Sequence, residues 1–248
     1  MRIAALYDIH GNLPALEAVL AEVRQAAPDL IVIGGDVVPG PMARECVEAV
    51  LALGVETRYI HGNGEREGLA ELASPGSTRV PDAFKPVVRW SVEQLSPSQR
   101  DVIGAWPDTV TVEIPGLGPV LFCHATPRND TDIFTRLTPE AELRPVFEAV
   151  EAPLVVCGHT HMAFDRTIGL TRVVNAGSVG MPFGPSGADW LLIGRGVEFR
   201  HTTYDLAAAA ARIRATAYPM AEAYASDNVL NPPAEEAMLR AFSRSPDR

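Results

Sequence analysis

Seven residues of this chain carry side chains that ligate transition metals, and each stands at the end of an apolar run or two residues beyond such a position: Asp8, His10, Asp36, Asn63, His124, His159 and His161. Imidazole nitrogens, carboxylate oxygens and an amide carbonyl, with no thiolate, make a mixed N and O donor set. Such a set suits Mn, Fe, Co, Ni or Zn and disfavours copper(I) or an iron–sulfur cluster. Four histidines among the seven argue against calcium, whose sites are built from oxygen. Seven donors also exceed the four of a tetrahedral zinc site, and they suffice for two metals that share one carboxylate. Taken singly, each residue has an ordinary reading: Asp8 or Asn63 in a turn, Asp36 as a helix cap, His124 as a hydrogen-bonded strand end. Their joint placement is what points to a metal centre.

The elements that must position them follow from hydrophobic periodicity. Ile3 to Tyr7 is an apolar run leading into Asp8-Ile9-His10-Gly11-Asn12, where Asn12 is suited to cap a helix. Leu13, Leu16, Val19, Leu20 and Val23 recur at helical spacing until Pro28. Leu30 to Ile33 reads as a strand covered on both faces, and it ends in Gly34-Gly35-Asp36. A helix over about Ala43 to Leu53 and a strand over Val55 to Ile60 complete a βαβαβ opening, which requires a mostly parallel sheet. Glu67 to Pro107 reads as broken helix, with one segment over Ala83 to Leu95 and Ser96-Pro97 as the cap of another. Val110 to Ile114 and Val120 to Cys123 flank a turn, Pro139 to Val150 is helical, and Leu154 to Cys157 is a buried strand. Strands follow at Phe164 to Ile168, Thr171 to Val174, Trp190 to Ile193 and Val197 to Thr203. Helices over Ala207 to Ala217 and Ala234 to Phe242, separated by a loop rich in Pro and Asn, close the chain.

Asp8, Asp36, Asn63, His124 and His159 thus lie past the C-terminal ends of separate strands, the edge at which open α/β sheets bind ligands. If the segments are extended, Asp8 with His10 and His159 with His161 each point one way.

Composition narrows the class of protein. The 248 residues are 47% hydrophobic and 21% charged, which excludes a disordered chain, and 20 glycines with 21 prolines predict many ordered loops. A net charge of −10 disfavours binding to a nucleic acid backbone. The three cysteines, Cys46, Cys123 and Cys157, form no CxxC pair and suggest buried thiols in a reducing compartment. No apolar run approaches the roughly 18 residues of a membrane span, and no secretory signal is evident. The expectation is a cytoplasmic protein without a membrane partner, with a homo-oligomer left open.

The motifs resemble those of the calcineurin-like metallophosphoesterase family. Asp8-Ile9-His10-Gly11, Gly35-Asp36, Gly62-Asn63 and Gly158-His159-Thr160-His161 match its motifs in order, with His124 between the last two. Asn175 to Gly180 resembles its closing loop. The resemblance covers about residues 1 to 203 and looks most like the small bacterial branch of phosphodiesterases and diadenosine tetraphosphate hydrolases. It implies an α/β fold, a two-sheet β-sandwich flanked by helices, in one domain over 1–248 with 204–248 as a C-terminal helical extension.

The resemblance further implies that Asp8, His10 and His161 hold one divalent metal, that Asn63, His124 and His159 hold the other, and that Asp36 bridges them, with Mn the first expectation. Asp36, Asn63 and His124 would carry catalysis, a hydroxide shared by the metals attacking the phosphorus of a small, nucleotide-like phosphodiester or phosphoanhydride. Neutral histidines are needed, so activity should fall below about pH 6. The alternatives are a protein serine/threonine phosphatase, which needs an open groove, and a catalytically silent scaffold of the same fold.

Two positions depart from the family pattern. Gly64 stands where a histidine, the leaving-group acid, is usual; Glu65 or His61 would be the nearest substitutes, and Gly64→His should restore the acid unless Gly64 has positive φ. Tyr7 replaces a small residue and either narrows the pocket or fills core. Arg128 either holds a substrate phosphate together with Asn63 or pairs with Asp130 or Asp132. His61 and His201 read as structural or exposed.

Overall fold

The computed structural model describes residues 1–243, so the last five residues of the expected C-terminal extension lie outside the description. Two five-stranded sheets face one another. The first combines β1 (Ile3–Leu6), β2 (Leu30–Ile33), β3 (Thr57–Tyr59), β9 (Ala188–Ile193) and β10 (Val197–Thr202) in the order β10-β9-β1-β2-β3. The second combines β4 (Thr109–Ile114), β5 (Gly118–Cys123), β6 (Leu154–Cys157), β7 (Phe164–Ile168) and β8 (Thr171–Asn175) in the order β4-β5-β6-β8-β7. Each sheet has a parallel centre, β1-β2-β3 in one and β5-β6-β8 in the other, and its remaining strands are antiparallel.

Alternation along the central strands explains the layers. Ile3 and Ala5 of β1, with Leu30 and Val32 of β2, face Phe122, Leu154 and Val156 of the other sheet. Ala4, Leu6, Ile31 and Ile33 point the other way, onto α1 (Leu13–Ala26) and α2 (Ala43–Leu51) through Leu16, Val19, Val47 and Val50. Val155 and Val173 on the outer face of the second sheet pack on Leu143 and Phe147 of α6 (Glu140–Phe147). Both faces of each parallel centre are therefore apolar and covered, giving helix, sheet, sheet, helix layering as expected. Tyr7 is core: it is fully buried between the sheets and its hydroxyl donates to the Val156 carbonyl at 3.1 Å.

The local signals mostly mark the elements. Asn12 caps α1 by accepting the Ala15 N–H, and Ser96 caps α5 (Pro97–Gly104) by accepting the Gln99 N–H. The helix expected over Ala83 to Leu95 is α4 (Lys85–Glu93). The helical region begins earlier than Glu67: α3 (Asn63–Ala73) starts directly after Gly62, whose N–H is bonded by the Glu65 carboxylate. The C-terminal segment contains α7 (Leu206–Arg214) and α9 (Glu235–Phe242), and the part between them is not plain loop. It holds α8 (Ala221–Tyr224) and a π-helical segment, Ala225–Leu230, which pack on α7 through Ile213, Tyr224 and Val229. No helix among the described residues is long and apolar enough to cross a membrane. All three cysteines are buried and unpaired.

Candidate metal centre

Asp8, Asp36 and Asn63 follow β1, β2 and β3, while His124 and His159 follow β5 and β6, so the parallel centres of both sheets deliver side chains to one end of the sandwich. Two clusters form there. Ligand atoms of Asp8, His10 and His161 lie within 4.8 Å of one another, as do those of Asp36, His124 and His159. Asn63 joins the second cluster, its Oδ1 lying 3.2 Å from His124 Nε2. The clusters adjoin through Asp36, whose Oδ2 is 3.6 Å from His10 Nε2 and 3.6 Å from His124 Nε2.

The backbone that presents these residues is not extended. Among the described residues, six non-glycine residues have positive φ, and five of them are Asp8, His10, Asp36, His159 and His161. Each such conformation costs about 1–3 kcal/mol and persists only where its surroundings hold it. The extended-segment argument for the two pairs therefore fails in its premise. Left-handed turns, not strand pleating, bring Asp8 and His10 together and send His159 and His161 to different clusters.

The surroundings hold these turns with backbone bonds. Asp8 N–H donates to the Gly35 carbonyl and His10 N–H to the Asp36 carbonyl, tying the first loop to the second. The Asn175 to Gly180 loop straps both sides: Ser178 Oγ donates to the Asp8 carbonyl at 2.7 Å, and Asn175 Nδ2 to the Gly158 carbonyl at 2.6 Å. Tyr224 in α8 donates to the His10 carbonyl at 2.9 Å, so the C-terminal segment also anchors the site.

The donor set fits divalent metals. His161 Nδ1 faces the Met181 carbonyl at 3.0 Å and His124 Nδ1 faces the Gly34 carbonyl at 2.9 Å. Each Nδ1 therefore carries a proton, which makes Nε2 the ring atom directed at the centre and available to a metal, on His124 once its second proton has left. His124 Nε2 lies 3.2 Å from Asn63 Oδ1, and His10 Nε2 lies only 3.0 Å from His161 Nε2. Asp8 is fully buried, and its Oδ1 has no hydrogen-bond partner among the described residues. A buried carboxylate oxygen without a partner is costly, and a cation among these acceptors removes the cost.

Electrostatics divide the histidines, readying two to ligate and holding a proton on a third. Burial lowers the His10 pKa, and burial with the His124 charge lowers that of His159 to about 4, so both imidazoles are neutral and ready to ligate. Burial opposes charging His124 as well, but Asp36 and Asp8 outweigh it and push its pKa up to about 10. Burial likewise works against ionised Asp36 and Asp8, yet the neighbouring histidines, His124 foremost for Asp36 and His161 for Asp8, hold both below the usual carboxylate range.

The other expected residues lie elsewhere or serve differently. Arg128 pairs with Asp132 at 2.7 Å and lines a smaller cavity with His61, Arg66, His124 and Asp130. His61 pairs with Asp108 at 2.7 Å and His201 with Asp189 at 2.7 Å. Glu65 is buried and engaged with backbone N–H groups, so it is not placed as a leaving-group acid. Gly64 has no positive φ, yet it cannot become His without movement: a Cβ there would run into the Val38 carbonyl oxygen. Sequence reasoning missed Arg79. It lines the cleft of about 680 Å³ over the centre, together with His10, Asp36, Asn63 and His159, and makes no ion pair or hydrogen bond among the described residues. It lies in a loop with no motif to mark it, and only the fold brings it there.

Residues 1–193 match the calcineurin-like phosphoesterase superfamily domain. An uncharacterized protein of Methanocaldococcus jannaschii is 27% identical over 199 residues, spanning 73% of this chain and 76% of its own length. A metallophosphoesterase from Sphaerobacter thermophilus superposes with a TM-score of 0.68 at 26% identity, covering 92% of this chain and 99% of that one. A hypothetical protein of Pyrococcus horikoshii shares the fold with a TM-score of 0.79 at 23% identity, covering 94% and 99%. With the fold, the motif order and the clustered acceptors in agreement, the chain belongs to the calcineurin-like phosphoesterase superfamily and is a metal-dependent phosphoesterase.

Proposed function

We propose that the protein is a dimetal phosphoesterase that hydrolyses phosphodiester or phosphoanhydride bonds of small, nucleotide-like substrates. The observation that carries this reading is the position of Asp36, one oxygen of which lies 3.6 Å from a histidine nitrogen of each cluster. Asp8, His10 and His161 would hold one divalent ion and Asn63, His124 and His159 the other, with Asp36 shared between them. Mn is the first expectation, with Fe, Co, Ni or Zn also compatible with these donors.

When bound, such a pair supplies Lewis acidity at phosphorus and makes water nucleophilic near neutral pH. The chain's own residues orient the ester. The Asn63 amide stands at the edge of the cleft beside the centre, where it can hold a phosphoryl oxygen, and Arg79 offers an unpaired cation for a further anionic oxygen. A cleft of about 680 Å³, lined by Phe84, Val88, Asn129, Thr131 and Ile133 among others, has the size of a small-molecule site, which favours small esters over a phosphoprotein.

The test is hydrolysis of bis-p-nitrophenyl phosphate with manganese, by wild type and by Asp36→Asn. The variant should stay folded, bind less metal and lose more than the roughly 10- to 100-fold that follows loss of an outer partner of a metal ligand. Near-normal turnover with unchanged metal content would overturn the shared role of Asp36.

A further inference from the structure

A second cavity, of about 500 Å³, adjoins the cleft and shares His10, Pro39, Phe84 and Val88 with it. Its character differs. Phe84, Phe183, Tyr218 and Tyr224 supply rings, and Phe183 is itself stacked on His161 with centroids 5.2 Å apart. Apart from His10, the charged or amide side chains on its wall are Asp227 and Asn228, and neither makes a side-chain hydrogen bond or ion pair among the described residues. Both belong to the π-helical segment Ala225–Leu230, and such segments recur at functional sites. An apolar and aromatic lining with a few grouped polar side chains is the composition of a site for an organic ligand.

The charges divide the two cavities. No cation lines the second one, and Asp227 would repel a second phosphate, so phosphate belongs with Arg79 in the cleft. A purely aliphatic group would desolvate Asp227 and Asn228 without pairing them, at a cost. A flat heteroaromatic ring with N–H donors and carbonyl acceptors meets both demands, because it stacks on the rings and pairs with the two polar side chains. We propose that this cavity is a nucleobase subsite, which holds the base of a nucleoside phosphoester while its phosphate lies at the metal centre. The inference rests on the phosphoesterase reading for its chemistry, but the subsite can be measured by binding alone. It also gives the C-terminal segment a role in specificity.

Thymidine 5′-monophosphate and methyl phosphate, titrated calorimetrically into the manganese-loaded protein, test the subsite directly. Wild type should bind the nucleotide at least about 10-fold more tightly, within the range that stacking one base on an aromatic side chain provides. Ala223→Phe fills the cavity from a half-buried wall position, and Asn228→Ala removes a base partner; each should reduce that ratio. The kcat/KM ratio of p-nitrophenyl thymidine 5′-phosphate to methyl p-nitrophenyl phosphate, two esters with one leaving group, should fall in parallel. Equal binding of the two phosphates by wild type, or ratios that neither variant changes, overturns the subsite. Selective nucleotide binding without hydrolysis of either ester upholds the subsite and overturns the dimetal hydrolase reading. Hydrolysis of both esters without preference does the reverse.

Discussion

Oε2 of Glu65 accepts the Asp36 N–H at 2.9 Å and also the Gly62 N–H at 2.8 Å, so a single buried oxygen clasps the loop after β2 to the loop after β3. Oε1 takes the N–H groups of Val37 and Val38 at 2.7 and 3.1 Å. Burial and the Asp36 charge push the Glu65 pKa up to about 7, and these backbone donors pull against them. The clasp fixes Asp36 and Asn63 relative to one another. Glu65→Gln should therefore destabilise the fold, because the new amide group faces N–H donors; leaving buried donors unpaired costs about 1–3 kcal/mol. Urea unfolding of the metal-free protein measures this, and an unchanged midpoint would show that the clasp is not needed.

Arg79 and Arg128 should separate in kinetics. Arg79 faces the cleft unpaired, whereas Arg128 is engaged by Asp132. Arg79→Ala should raise KM for an ester with an additional phosphate several-fold more than for bis-p-nitrophenyl phosphate, while Arg128→Ala should treat both substrates alike. Steady-state kinetics on the two substrates decide it, and the opposite ranking would return the substrate role to Arg128.

None of the positions expected to protonate the leaving group, Gly64, Glu65 and His61, offers a free acid, His61 being paired with Asp108. Gly64 supplies no side chain, and Glu65 is occupied with the backbone. General acid catalysis contributes about 10²- to 10⁴-fold, and we infer that hydrolysis here proceeds without it. Rates should consequently fall steeply as leaving-group pKa rises from p-nitrophenolate to alkyl alcohols. A shallow dependence would mean that another group donates the proton. Gly64→His is not a clean restoration, because the Val38 carbonyl occupies the space that its Cβ needs.

Metal uptake should release a proton. In the metal-free protein His124 is held protonated by Asp36 and Asp8 against its burial, with a pKa of about 10, whereas His10 and His159 are shifted down and already neutral. A raised pKa means that the proton competes with the metal, so affinity should rise with pH, about tenfold per unit for one proton, between roughly pH 6 and pH 8. Calorimetric titration of manganese in buffers of different ionisation enthalpy counts the proton. A count of zero would remove His124 from the ligand set.

Much of this architecture was legible in the sequence. The β-branched run Leu30 to Ile33 and the apolar spacing from Leu13 to Val23 mark β2 and α1, because both bury whole faces. The clustering of the seven candidate residues was legible because motif order along the chain maps onto strand ends. The left-handed turns at Asp8, His10, Asp36, His159 and His161 were not, since aspartate and histidine give no glycine-like signal of positive φ. Glu65 looked like a catalytic acid because spacing alone cannot tell a side chain aimed at substrate from one turned back on the backbone. Arg79 and Tyr224 reach the site only through long-range packing, which local pattern does not encode.

Whether two metals share Asp36 is decided by the crystal structure of the manganese-soaked protein, with anomalous differences collected at the manganese edge. Two peaks about 3.5–4 Å apart are expected, the spacing of two-metal sites. One should lie among Asp8, His10 and His161, the other among Asn63, His124 and His159, with Asp36 bound to both. A single peak, or two peaks without Asp36 between them, would contradict the dimetal reading.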